Sequence, residues 1–153
     1  MNLLIYGDDT ALVASRVREL KQHFLKGNPD SEVKVIDVAD LPEPEQILDM
    51  LTTLPLWGGK RCFILYGFLT FSWKGEYAQV WDWIDSIGAE NILLFVEYQN
   101  DAPTKVKRVV QWIAEEKLTK KQMFACPKGS SIKRHIKLTA AQQNYLNQVY
   151  SQD

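Results

Sequence analysis

Two adjacent carboxylates, Asp8 and Asp9, follow a short apolar run at residues 3–6 and open a helical pattern. Acids in that place can hold magnesium for a phosphoacceptor reaction, provided another Asp ends the third strand and a Lys ends the fifth. Here the third strand ends in Tyr66-Gly67, and the Lys is offset as Pro127-Lys128. The competing reading is structural. Asp8, Asp9 or Thr10 can cap a helix and complement its positive end. A nucleotide site at the same loop needs several Gly, then a Lys and a hydroxyl. The loop reads Gly7-Asp8-Asp9-Thr10-Ala11-Leu12-Val13-Ala14. The Lys and hydroxyl positions are apolar, and two carboxylates repel phosphate. No GxGxxG occurs. His23 and His135 lack a Ser, Cys or Asp at triad spacing, and Cys62 and Cys126 lack metal-ligand spacing. The expectation is no catalytic residue, no metal and no cofactor.

A second feature concerns binding rather than catalysis. Leu54-Pro55-Leu56-Trp57-Gly58-Gly59-Lys60-Arg61 places apolar side chains in a turn just before an apolar strand. Turns are usually polar because they lie on the surface. Such a turn either folds back onto the core or is held out for a partner. Leu54 continues a helix face and reads as core. Leu56 and Trp57 fall beyond it, where Pro55 and Gly58-Gly59 can turn them outward. Lys60 and Arg61 are candidates for a surrounding rim.

The elements that must position these residues alternate. Strands are expected at 3–6, 33–38, 61–66, 91–98 and 122–126. Helical patterns carry Val13, Val17, Leu20 and Phe24; Ile47, Met50, Leu51 and Leu54; Tyr77, Val80, Trp81 and Ile84; and Val106, Val109, Val110 and Ile113. Pro44 suits a first helical turn, and Gly27-Asn28-Pro29 stops the first helix. Thr139 with Gln142 forms a capping-box pattern before a last short helix. Five strands separated by four helices imply an α/β fold: a parallel sheet with helices on both faces. Trp73, Trp81, Trp83 and Trp112 lie in or near helical stretches and read as packing. Residues 127–138 read as a linker.

The chain has 153 residues, enough for one main domain with a small appendage. No run of about 18 apolar residues exists, so no membrane span is expected. The first residues lack the basic start and small-residue cleavage site of a secretion signal, so a cytoplasmic location with reduced, buried thiols is expected. Net charge is −1, but residues 1–116 carry −7 while residues 117–152 hold seven cations and no acid. Lys120, Lys121, Lys128, Lys133, Arg134 and Lys137 are therefore candidate nucleic-acid contacts, against the plain reading of a solvated tail.

Three stretches resemble the N-terminal domain of the bacterial DNA polymerase III delta subunit: Leu4-Ile5-Tyr6-Gly7-Asp8-Asp9 with the helix after it, Val35-Ile36-Asp37 with the following helix, and the apolar turn running into Cys62-Phe63-Ile64-Leu65. The resemblance spans roughly residues 1–127. It implies an AAA+/P-loop-like fold without a functional phosphate loop, in a clamp-loader subunit of DNA replication. It implies that Leu56 and Trp57 enter an apolar pocket of the ring-shaped sliding clamp (the beta subunit) and help open the ring. Trp57 stands where the family has Phe. Residues 1–127 would be the AAA+-like domain, and 128–153 a linker and the start of a helical lid-like domain. Other loader subunits would be met through domains missing here, and DNA contact could coexist with docking. The alternatives are a receiver-like phosphoacceptor built on Asp8 and Asp9, and a nucleic-acid-binding module built on the basic segment.

Overall fold

The computed structural model describes residues 1–40, 43–53, 60–88, 90–100, 102–128, 140–142 and 144–145. The elements are β1 (Asn2–Tyr6), α1 (Thr10–Gly27), β2 (Glu32–Asp37), α2 (Pro44–Thr52), β3 (Arg61–Tyr66), α3 (Ala78–Ile87), β4 (Ile92–Glu97), α4 (Ala102–Lys105), α5 (Lys107–Ala114) and β5 (Met123–Ala125). Short 3₁₀ turns precede α3 and β5. Residues 140–142 and 144–145 are helical.

All strand pairs are parallel, in the order β2-β3-β4-β1-β5. That order dictates where the helices go. The chain leaves β1 for the far edge at β2, then returns stepwise through β3 and β4 and passes β1 to reach β5. Right-handed crossovers running in opposite directions place their helices on opposite faces. Accordingly α1 lies on one face and α2, α3 and α5 on the other. Two buried clusters record this division. Val13, Val17, Leu20 and Phe24 of α1 pack on Leu3, Ile5, Ile64 and Leu94. Ile47, Leu51, Val80, Trp81, Ile84, Val109 and Trp112 pack on Leu4, Phe63, Leu65 and Phe95. The central strand β4 is buried along its whole length, as a strand covered on both faces must be.

Local chemistry sets the ends of the helices. The Asp9 carboxylate accepts from the Leu12 N–H at 3.1 Å and caps α1. Pro44 occupies the first turn of α2. One expectation fails: the pattern read as a single helix over Val106 and Ile113 is broken. Val106 is extended, with φ −62° and ψ 132°, and separates α4 from α5. Nothing in the sequence explains that break. Aromatic rings knit the second face. Phe71 lies 4.6 Å from Trp73, Trp73 5.8 Å from Trp81 and Trp81 5.7 Å from Trp112. Trp83 is half-buried, 44% exposed. Tyr145 packs against the α1-side cluster, and its hydroxyl accepts from Gln122 Nε2 at 2.6 Å.

Candidate functional site

The loop after β1 lies at the carboxyl end of the sheet, where open α/β folds bind nucleotides. Its polar groups are already committed internally. The Gly7 N–H donates to Glu97 O at 3.1 Å, and the Asp9 N–H to Cys126 O at 3.1 Å. The Asp8 N–H donates to Asn100 Oδ1 at 3.2 Å. The Lys128 N–H donates to Asp8 Oδ1 at 2.5 Å. A Cβ on Gly7 would lie 1.9 Å from the Cys126 carbonyl oxygen. The segment leaving β5 therefore runs directly over the loop. A phosphate needs convergent free amides and a cation; this loop offers amides turned to carbonyls, and two acids. Of the two, Asp9 is buried and engaged as the helix cap.

At the neighbouring strand end, Tyr66 stacks on Tyr98 with ring centroids 6.3 Å apart. Burial raises the Tyr66 pKa, helped by Tyr98 and Asp37. The Glu97 carboxylate is 3% exposed and ties down the connection after β3. It accepts from the Leu69 N–H at 2.8 Å, the Thr70 N–H at 3.2 Å and the Thr70 hydroxyl at 3.1 Å. Burial raises its pKa, while those donors pull it back. Both cysteines are buried as expected. Burial pushes the Cys62 thiol up to about 12 and the Cys126 thiol to about 11. Among the described residues, no group of three or more His, Cys, Asp or Glu is placed to hold a metal ion.

The apolar stretch lies in the sequence between α2 and β3, whose facing ends lie at the opposite end of the sheet. Leu54, Pro55, Leu56, Trp57, Gly58 and Gly59 lie outside the described residues; Thr53, Lys60 and Arg61 lie within them. Lys60 is exposed. Arg61 is not at a rim: it is 7% exposed and turned inward. Its guanidinium donates to Thr53 O at 2.9 Å and Leu51 O at 3.3 Å, and lies 5.2 Å from the centre of the Phe63 ring. Lys34 joins it from β2, with Nζ 3.1 Å from Met50 O and 3.3 Å from Thr53 O. The last carbonyls of a helix have no partner within it and form its negative end. No basic residue stands in the last turn of α2, and these two cations arrive from neighbouring strands instead. Sequence reasoning missed Lys34. The signal was present in its alternation with buried Ile36, which puts a cation on the α2 side of the sheet.

The described part of the basic segment is divided by β5. Lys120 and Lys121 precede β5 and Lys128 follows it; all three are exposed. Six residues, including all of β5, separate Lys121 from Lys128. Lys117 pairs with Glu115 at 3.0 Å. Lys133, Arg134, His135 and Lys137 lie outside the described residues. A cavity of about 400 Å³ opens between α3 and α5, lined by Asn2, Ile84, Asp85, Trp112, Glu116 and Gln122, among others. No candidate site residue lines it.

Among solved structures, the chain is similar to the Bacillus subtilis DNA clamp loader delta protein (YqeN), with a TM-score of 0.51 and 18% identity. The likeness is one of fold: a five-stranded parallel sheet with helices on both faces. The match covers 82% of this chain but only 38% of that one, so this chain spans well under half the length of its neighbour. No family model matches, and no curated protein matches. Among the described residues, no helix is long and apolar enough to cross a membrane.

Proposed function

We propose that this chain acts in DNA replication as a clamp-loader delta-like module that docks on a sliding clamp and hydrolyses no ATP itself. The observation that carries the reading is the fold likeness to a clamp-loader delta protein over most of the chain. The closed loop after β1 supports it, because its amides and acids are engaged by Glu97, Asn100, the first turn of α1 and the segment following β5. The docking element is the apolar turn, with Leu56 and Trp57 as anchors and Lys60 at its edge. Burying each anchor contributes about 1.5–3 kcal/mol. Micromolar binding requires about 8 kcal/mol. The anchors are thus a hot spot, and a wider rim supplies the rest. Other loader subunits would be met by regions corresponding to the part of the neighbour that this chain does not span.

The test is titration of a purified bacterial sliding clamp with the wild-type chain and with Leu56→Ala/Trp57→Ala. The double variant should lose about 100-fold or more in affinity at an unchanged unfolding midpoint. Equal affinity in a folded double variant refutes the site. The two other readings have less support. Asp9 is engaged as a cap, which leaves a phosphoacceptor one acid short, and the described lysines of the basic segment are split by β5.

A further inference from the structure

We propose that the cavity between α3 and α5 is a binding site for a planar nitrogen heterocycle of the nucleobase class, carried without phosphate. The site is independent of the docking reading above. Its volume of about 400 Å³ is that of a small-molecule pocket. Two buried polar groups on its wall lack a partner. Asn2 is 9% exposed, and its side-chain amide has no hydrogen-bond partner among the described residues. Side chains alternate between the faces of a strand. Leu3 and Ile5 of β1 pack with α1, and Leu4 packs with Ile84 and Trp112. Asn2 therefore turns with Leu4 toward α3 and α5, into the cavity it lines. Trp112 is 3% exposed, and its indole N–H also has no partner among the described residues. None of the unpartnered side-chain nitrogens or oxygens described is sealed from solvent, so both groups reach open space. The cavity is the space they share. The other amide on the wall is fully engaged: Gln122 accepts from the Thr119 N–H at 2.8 Å and donates to the Tyr145 hydroxyl at 2.6 Å.

An indole N–H only donates, whereas a side-chain amide both donates and accepts. The matching ligand presents an acceptor to Trp112 and an adjacent donor and acceptor to Asn2. An amino group beside a ring nitrogen, as on adenine, is such a pair, and a side-chain amide reads it with two parallel hydrogen bonds. Ile84 and the Trp112 ring supply apolar walls. The charges on the wall set phosphate aside. Asp85 is held by Arg108 at 2.8 Å and Lys117 by Glu115 at 3.0 Å. The Met1 amino group donates to Gly88 O and Asn91 O, and burial lowers its pKa. Glu116 alone on the wall has no charged or hydrogen-bonding partner for its carboxylate among the described residues. It holds φ +59° just past the end of α5, a place that usually goes to Gly. A free carboxylate at the wall repels a phosphate and tolerates an uncharged base.

The experiment titrates the isotope-labelled full chain with adenosine and with AMP while the indole N–H resonances are followed by NMR, that of Trp112 being assigned with Trp112→Phe. Adenosine should move the Trp112 resonance saturably and leave that of Trp83 in place. AMP should bind about tenfold more weakly. Asn2→Leu removes the amide, and adenosine affinity should fall about tenfold or more. Glu116→Gln alters an exposed side chain, which keeps the test open if Asn2→Leu fails to fold. It should bring AMP about threefold closer to adenosine, a change that a merely structural Glu116 would not produce. A Trp112 resonance unmoved by millimolar adenosine overturns the site. Equal adenosine affinity in folded Asn2→Leu overturns the reading of the base by the amide. AMP bound as tightly as adenosine by the wild-type chain overturns the phosphate-free class.

Discussion

Replacing Gly7 by Ala should destabilise the chain by about 4–6 kcal/mol, and the figure follows from where the new methyl would lie. Gly7 has φ +153°, and an added Cβ would meet the carbonyl oxygen, carbonyl carbon and Cα of Cys126 at 1.9, 2.3 and 2.7 Å. All three are main-chain atoms and cannot rotate aside. The segment after β5 would have to lift away. Three hydrogen bonds would go with it: Cys126 N–H to Tyr6 O at 2.7 Å, Asp9 N–H to Cys126 O at 3.1 Å and Lys128 N–H to Asp8 at 2.5 Å. At about 1 kcal/mol each they account for about 3 kcal/mol, and backbone strain adds about 1–3 kcal/mol. Gly75 provides the control. Its φ is +61°, yet nothing lies within 4 Å of a Cβ there. Gly75→Ala should therefore cost only the left-handed strain, about 1–2 kcal/mol. Urea unfolding followed by fluorescence of the buried Trp81 and Trp112 reads both variants. With a slope of about 2 kcal/mol per molar, Gly7→Ala should drop the midpoint by about 2–3 M. A drop no larger than that of Gly75→Ala would refute the close approach of loop and segment.

Burial raises the Glu97 pKa above its usual 4.5, so the folded chain holds that proton to a higher pH than the unfolded chain does. The resulting stability is complete below 4.5 and fades as pH climbs through the folded value. Glu97→Gln keeps an acceptor for Leu69 and Thr70 and should flatten that decline in a series of urea midpoints; an unaltered decline would contradict the assignment. Glu97→Ala strands the donors and should cost about 2–4 kcal/mol at neutral pH, read in the same assay. The cysteines should resist a thiol reagent at pH 8, since their pKa values of about 12 and about 11 leave little thiolate. Fast labelling of the folded chain would show that one of them is open to solvent.

Much of the scaffold could be read from residue order, because α/β crossovers leave a strong periodic signal. The spacing of Val13, Val17, Leu20 and Phe24 identified the buried stripe of α1, and Pro44 marked the first turn of α2. Asp9 was among three candidate caps, and the side chain that meets the Leu12 amide decides between them. Strand order was not legible, since it depends on which crossover passes which strand. The extended residue at Val106 was not legible either, because its neighbours keep the helical apolar pattern on both sides. Arg61 was misread for a definite reason. A cation next to Lys60 and two Gly looks like surface, and only the carbonyls at the end of α2, ten residues earlier, draw it inward. The two anchors, Leu56 and Trp57, fall outside the described residues and stay a reading of sequence.

The two ends of the sheet follow opposite logic. At the carboxyl end, main-chain donors, Asp8 and Asp9 are drawn together with the segment leaving β5, and Gly7 is there because no side chain fits under that segment. At the amino end, Lys34 and Arg61 converge on the carbonyls of Met50, Leu51 and Thr53 at the end of α2. Cations that hold a helix end fix a geometry without reacting. A loop whose amides already face carbonyls gives a phosphate little to bind. The loop at the carboxyl end is thus freed from any demand to open and close around a nucleotide. Docking strength at one end should therefore be indifferent to ATP, and a clamp titration repeated with saturating Mg-ATP should superimpose on the titration without it.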